Sequence, residues 1–461
     1  MNKKLVIILV WMMVGMTFIS SSAQQISADV RYMSLQECLD YAYKHNEDII
    51  IANLEIEKAQ AKVGEYLSQG LPQIDAKASV NKNFILRRTF LPADQFNPAA
   101  PADSVIELKF GLPYDGDIGL NINQMIFNGS YFVGLKASKA LKELSRKDQI
   151  KTKTDITELV TKAYFGVLVA EISHNLILAN YNRLDSLLRE TRIMYENGVA
   201  EKVDVNRTTV EFNNIKTQLT KSIRAIEINM EILKFQMGMP AYEKIEITET
   251  LSDIVFDANK DLGLGLDIQN RIEIAQLESQ EELATYDMKN NKVQYIPSMD
   301  LYLSWGLNGA TKQFNTLGEL GNRHVWPDYQ LAGIKLYVPI FDGLMKSKKI
   351  QQTKLKLRQL SYQRMKLENS INLEFKRARY NLLTQIEQLE NQKENMKLAR
   401  EVYEDTKMKY QEGVGSNLEV IEADNAYKTA QNNYFTALYE ALIAKVDYEK
   451  ALGVLLDKPI Q

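Results

Sequence analysis

The chain has 461 residues, a formal net charge of -3, 25% charged residues and 45% hydrophobic residues. This is the balance of a folded protein, and it excludes a disordered chain and a strongly basic nucleic-acid binder. The one cysteine, Cys38, excludes an internal disulfide.

Residues 1–23 read as an export signal: Lys3 and Lys4, an apolar run from Leu5 to Ile19, then Ser21-Ser22-Ala23, with cleavage expected after Ala23. A membrane anchor is the competing reading, but the run is shorter than the roughly 20 residues that cross a bilayer. Beyond it no apolar run is long enough for a transmembrane helix, so the chain enters a membrane only as strands.

Residues 24–240 form a first repeat. A helix is expected from about Ser34 to Gln69, followed by a strand pair over 72–88 and 107–127. Its alternating apolar sets are Ile74, Ala76, Ala78, Val80 and Ile118, Leu120, Ile122, and a proline-bearing insertion, DQFNPAAPAD, lies between the strands. A helical hairpin over 130–238 comes next, since no proline occurs between Pro113 and Pro240. Its long helix runs to about Glu196, about 100 Å at 1.5 Å per residue. It carries heptad rows through Ile156, Ala163, Ala170, Ile177, Leu184 and through Val160, Val167, His174, Tyr181, Leu188, Tyr195. Residues 241–267 connect the halves, either as a belt packed outside the helices or as a disordered linker.

Residues 268–461 repeat the plan: a helix, a strand pair over 297–308 and 329–341, and a hairpin over 344–453. Moved by 215 residues, the second heptad row becomes Phe375, Leu382, Leu389, Met396, Tyr403 and Tyr410, and YENGV at Tyr195 becomes YQEGV at Tyr410. The chain is an internal duplication. The fold class expected is therefore mainly α with a small β part, four strands per chain above long α-hairpins. Four strands cannot close a barrel in hydrocarbon, and three copies would give twelve strands around a lumen.

Several stretches resemble the TolC-like outer-membrane efflux and secretion ducts: SLQECLDYAYKHNEDI, the paired Y-x-x-G-V turns, Phe127-Asn128-Gly129 and Phe341-Asp342-Gly343, and the Gly238 and Gly453 helix ends. His45-Asn46-Glu47 stands where the family usually has Asn-Asn-Pro. The resemblance implies a bacterial outer-membrane homotrimer surrounded by outer-membrane lipid, with a twelve-stranded barrel continuous with a periplasmic helical tunnel. It further implies docking to a periplasmic adaptor and an inner-membrane RND or ABC transporter, as the exit duct of a tripartite efflux pump or type I secretion system. Free-standing porins and periplasmic coiled-coil adhesins are the alternatives.

By the same resemblance Glu419 and Glu422 match two acids that ring a gate at the helix tips. Their plain reading is solvated helix-start acids favoured by the helix dipole. Asp204 and Arg207 occupy the first-repeat positions, either as an exposed i,i+3 pair or with Arg207 reaching the acids of the adjoining hairpin. Tyr410 matches a tyrosine of the closed-gate lock, but Gly415 replaces its frequent arginine partner, so the lock must differ. The turns at Gly198, Val199, Gly413, Val414 and Gly415 are what an adaptor would grip.

Tyr302, Trp305, Trp326 and Tyr329 fit an interfacial aromatic belt, or ordinary strand packing. His45, His174 and His324 are far apart in sequence, and no phosphate loop, nucleophile motif or zinc spacing occurs, so neither a cofactor, a metal nor an enzyme is expected.

Overall fold

The computed structural model describes residues 30–93, 99, 101, 103–249 and 265–456. The export signal, most of DQFNPAAPAD and most of the connecting segment lie outside the described residues. The first repeat runs β1 (Arg31–Met33), α1 (Leu35–His45), α2 (Glu47–Ser68), β2 (Gln73–Lys82), β3 (Arg88–Pro92), β4 (Val105–Lys109), β5 (Tyr114–Phe127), α3 (Gly129–Glu196) and α4 (Lys202–Met237). After β6 (Ile245–Ile247) the second runs α5 (Ile272–Val293), β7 (Ser298–Thr311), α6 (Phe314–Leu317), β8 (Asp328–Tyr337), α7 (Met345–Gln411) and α8 (Asn417–Leu452). Within its described residues the connecting segment pairs β6 in parallel with β1.

The main sheet is antiparallel in the order β2-β5-β7-β8, so the β5–β7 pairing joins the two repeats. The expected strand over 107–127 is split, because Gly111 takes φ +102° and Pro113 has no N–H. The last rung before the break is Asn83 N–H to Pro113 O at 2.7 Å, and β3 and β4 form a separate ribbon. In the second pair β7 extends to Thr311, while β8 stops at Tyr337 because Pro339 cannot continue the ladder.

Helices α3 and α7, 68 and 67 residues long, span the full helical part. Shorter helices line them in pairs: α2 and α4 lie along α3, while α5 and α8 fill the space between α3 and α7. The result is four columns side by side, with α2/α4 at one edge and α7 at the other. Near mid-length, Ile156, Val160, Tyr164 and Val167 of α3 pack with Leu233 and Met237 of α4, Leu438, Leu442 and Val446 of α8, and Leu35, Cys38 and Leu39 of α1. These α3 positions come every three or four residues, so one stripe of the helix is committed to this core.

The expected helix from Ser34 to Gln69 is broken at Asn46, which is extended at φ -64°, ψ 130°. Its Oδ1 accepts the Asp48 and Ile49 N–H groups at 3.0 and 3.4 Å, starting α2, and its Nδ2 donates to Gln236 O at 3.0 Å. In the second repeat Arg271 occupies this place: it is extended before α5, and its Nη1 donates to Ala451 O at 2.8 Å. Both junctions need a glycine opposite. A Cβ on Gly238 (φ +68°) would stand 2.7 Å from His45 O, and one on Gly453 (φ +79°) 3.2 Å from Asn270 O.

An ion ladder ties the repeats together just above the core. Lys151–Asp155, Asp155–Lys450, Lys450–Glu158, Glu158–Lys162 and Lys162–Asp447 follow one another at 2.8, 2.9, 2.5, 2.6 and 2.5 Å. Burial opposes the charge on Asp155 and Glu158, but the lysine hydrogen bonds together outweigh it and hold both below the usual carboxylate range. Burial likewise opposes the Lys450 charge, and its bonds to Glu158 and Asp155 push it up to about 12. Depressed carboxylates stabilise above their unfolded value, and a raised lysine stabilises until pH passes its folded value. The ladder therefore acts between about pH 4 and 12. We expect Lys450→Met to lower thermal stability equally at pH 6 and pH 9, with the difference from wild type shrinking as pH falls below about 4. Thermal melts of the helical signal across pH would show this, and a constant difference at all pH values would contradict it.

Candidate functional site

At the helix end each hairpin turns through a short loop. Gly198 and Gly413 end α3 and α7 at φ +78° and +76°. Val199 N–H reaches Met194 O at 2.8 Å and Val414 N–H reaches Lys409 O at 3.0 Å, the bonds that close a glycine C-cap. A Cβ on Gly415 would sit 3.1 Å from Tyr410 N, which leaves little room there for a larger side chain. Val199 and Val414 project outward, 76% and 78% exposed. Two apolar knobs therefore mark the tips of one protomer.

The returning helices start on carboxylates. Glu419 N–H donates to Ser416 Oγ at 3.2 Å and the Ser416 N–H returns to Glu419 Oε2 at 3.4 Å, a capping box. Glu419 thus has a structural task of its own, while Glu422, one turn on, is exposed. Asp204 accepts the Glu201 N–H at 3.2 Å and pairs with Arg207 at 3.4 Å, so within the protomer Arg207 makes the local i,i+3 pair. Tyr410 is buried with Leu184, Leu187, Ile215, Tyr403, Val420 and Ala423, and its hydroxyl has no hydrogen-bond partner among the described residues.

A second group near the tips is invisible in the sequence pattern. Asp424 of α8, 2% exposed, receives Arg183 of α3 through Nε at 3.0 Å and Nη2 at 2.5 Å, and Lys428 at 2.5 Å. The Arg183 guanidinium lies 4.6 Å from the Tyr403 ring and 5.3 Å from the Tyr427 ring. Burial pushes the Tyr403 hydroxyl up to about 12, partly offset by Arg183. Just above, Asn180 Nδ2 donates to Gln431 Oε1 at 3.0 Å. No spacing rule links residues 241 positions apart, so only the packing of α3 on α8 brings this group together.

At the other end the ladder register assigns the sheet faces. Residues paired in register share a face, so Ile74, Ala76, Ala78 and Val80, Ile118, Leu120 and Ile122, Leu301, Leu303, Trp305 and Leu307, and Ala332, Ile334 and Leu336 form one apolar face. The opposite face is polar: Asn121 Nδ2 donates to Asp75 at 3.2 Å and Ser304 Oγ donates to Asn121 Oδ1 at 2.8 Å.

Of the four belt aromatics only Trp305 and Trp326 lie on the apolar face. Trp305 is 54% exposed, whereas Trp326 is buried against Gly309 and Gly116. Tyr302 and Tyr329 pair with Gly333 and Gly306 on the polar face and lie over those glycines, so they are not belt residues. Period-2 alternation puts 302 and 305 on opposite faces, a signal that counting aromatics near strand ends overlooks.

The buried triad carries a stability test. Removing Asp424 leaves two cations facing each other without a counter-charge, so Asp424→Ala is expected to cost about 3 to 5 kcal/mol in chemical denaturation. The same measurement on Lys428→Met should give a much smaller loss, because Arg183 still neutralises the carboxylate. Equal losses would refute this division of roles.

The outer membrane efflux protein family model matches residues 38–238 and 264–454, one segment per repeat. The outer membrane protein TolC of Vibrio cholerae is 21% identical over 453 residues, 96% of each chain. The alkaline protease secretion protein AprF of Pseudomonas aeruginosa is 22% identical over 371 residues, 76% of this chain and 72% of that one. In three dimensions the chain resembles the Campylobacter jejuni CmeC outer membrane channel, at TM-score 0.70 and 19% identity, over 91% of this chain and 85% of that chain. It also resembles the open state of the Neisseria gonorrhoeae MtrE outer membrane channel, at TM-score 0.70 and 16% identity, over 93% and 90%. Both structures are outer membrane channels, and the chain belongs to the outer membrane efflux protein family, placed in the bacterial outer membrane with most of its length in the periplasm.

Proposed function

We propose that the protein is a homotrimeric exit duct, in which three copies close a twelve-stranded barrel above a helical tunnel gated at its tips. The observation that carries this reading is the pair of unpaired strand edges, β2 on one side and β8 on the other. Unpaired backbone groups are expensive in hydrocarbon, and head-to-tail pairing of β8 with the next copy's β2 removes every edge. Twelve strands also leave a lumen, which eight would fill with side chains.

The helices support the same closure. On α7, Leu355, Tyr362, Leu373 and Tyr380 form an exposed stripe on the side away from Leu360 and Ile371, which face the protomer. Between 345 and 366 this helix carries eight Lys and Arg and no acid, with Lys346 and Arg364 paired inside the protomer, whereas α2, at the opposite edge, carries five acids and two lysines. Opposite charges on the two free edges suit a ring. A detergent-resistant trimer on native gels is expected, and Tyr362→Glu should convert it to monomer; a wild-type monomer would overturn the assembly.

We further infer that the tips form the periplasmic entrance and dock a periplasmic adaptor linked to an inner-membrane RND or ABC transporter. Support comes from Val199 and Val414, which present exposed apolar side chains on glycine-capped turns, and from Glu422, which is free of the cap that engages Glu419. Three copies would place two rings of three carboxylates at Glu419 and Glu422, favouring cations. Glu419→Gln with Glu422→Gln should reduce cation preference in planar-bilayer recordings. Unchanged selectivity would remove these residues from the gate.

A further inference from the structure

The apolar face of β2, β5 and β7 is uncharged along its length until the row farthest from the helices. There Lys82 follows Ile74, Ala76, Ala78 and Val80 on β2, paired in register with Tyr114, which pairs with Thr311. The Lys82 ammonium lies 4.9 Å from the Phe84 ring and 5.7 Å from the Tyr114 ring. It has no ion-pair partner among the described residues.

The β7–β8 loop folds back over this same face. Trp326 covers Gly309 and Gly116, its Nε1 donates to Leu317 O at 3.0 Å, and Phe314 meets Tyr114 at 5.6 Å between ring centres. The loop leaves Phe314 and Leu320 exposed, as is Phe84 at 85%, and it carries the exposed cations Lys312 and Arg323. Of the acids at this rim, Asp115 lies on the opposite face and accepts the Asn81 and Asn83 amides at 2.8 and 2.5 Å, Glu319 accepts Asn322 Nδ2 at 3.1 Å, and Asp328 sits lower on the face, in register with Leu307.

Farther down, a shallow groove of about 540 Å³ is lined by Leu120, Ile122, Leu303, Trp305, Gln330 and Ala332. Six residues of strand separate Trp305 from Thr311, about 20 Å, which is the scale of a lipid acyl chain.

We infer that this rim binds a phosphate-bearing lipid of the outer leaflet, its phosphate held by Lys82 with Lys312 and Arg323 and one acyl chain lying in the Trp305 groove. An exposed cation among aromatics at the upper edge of an apolar face, with Lys312 and Arg323 on the adjoining loop, suits a phosphate-bearing lipid headgroup. The inference rests on the outer-membrane placement and is independent of the tip gate.

The test uses the purified full chain in neutral detergent, with its melting temperature read alone, with a diphosphorylated lipid A-type glycolipid, with the dephosphorylated glycolipid, and with inorganic phosphate. The phosphorylated glycolipid is expected to raise it by about 4 °C or more, and the other two not. Lys82→Gln with Lys312→Gln and Arg323→Gln should lose that rise while melting like wild type without lipid, and Lys82→Arg should keep it. No rise in wild type, an undiminished rise in the triple variant, an equal rise with the dephosphorylated lipid, or reproduction by inorganic phosphate would each overturn the site. Binding that survives loss of cation preference in the Glu419/Glu422 variant would leave the lipid site standing apart from the gate.

Discussion

The backbone of a β-strand cannot leave its N–H and C=O groups unpaired in hydrocarbon, and most of this architecture follows from that constraint. One chain offers four strands with two bare edges, β2 and β8. The helices inherit the same openness: α2 and α4 stand at one side of the protomer and α7 at the other, each with exposed apolar residues such as Leu54, Phe235 and Tyr362. Sheet and helices are thus unfinished at matching edges. In the proposed trimer a single heterologous contact, repeated, would complete both.

Duplication explains why one chain has this layout. Each repeat supplies a hairpin of strands and a hairpin of helices, and the β5–β7 ladder joins them. The junction beneath the strands is kept in both repeats with different chemistry: Asn46 donates to Gln236 O, whereas Arg271 donates to Ala451 O and also binds Glu273 and Glu374. The backbone need is the same, a helix restart opposite a left-handed glycine. Asn46 meets it with a neutral amide, while Arg271, 4% exposed at its side chain, needs two carboxylates to hold its charge.

The two repeats diverge most at the tips. The first returning helix begins on Asp204, balanced locally by Arg207, and the second on Glu419, with Glu422 making no ion pair among the described residues. Above them the seam between the hairpins carries charge as well as apolar side chains: Arg183 crosses from α3 to Asp424 on α8, two residues above Glu422. A carboxylate held between two cations resists sliding, because any shift that breaks one bond leaves a charge buried. This links the helix bearing the free acid to the long helix of the other repeat.

Much of the fold was legible in the residues. Proline spacing and heptads marked α3 and α7, period-2 alternation marked β2, β5, β7 and β8, and the two Y-x-x-G-V stretches marked the turns, because each reports a local backbone preference or a repeat of one. The break at Asn46 was not legible, since asparagine is tolerated inside a helical pattern and the cause of the break is the close approach of Gly238. The fate of the aromatics was half legible: strand parity separates Trp305 from Tyr302, but the return of Trp326 onto Gly116 and Gly309 depends on how a loop folds. Sequence by itself determined the elements, their duplication and the chemistry of the turns, all set within a few residues of one another. Only the tertiary structure decided the Arg183–Asp424–Lys428 group, the ladder through Lys450 and the cation at Lys82, because burial and ion pairing between distant segments exist only once the columns have packed.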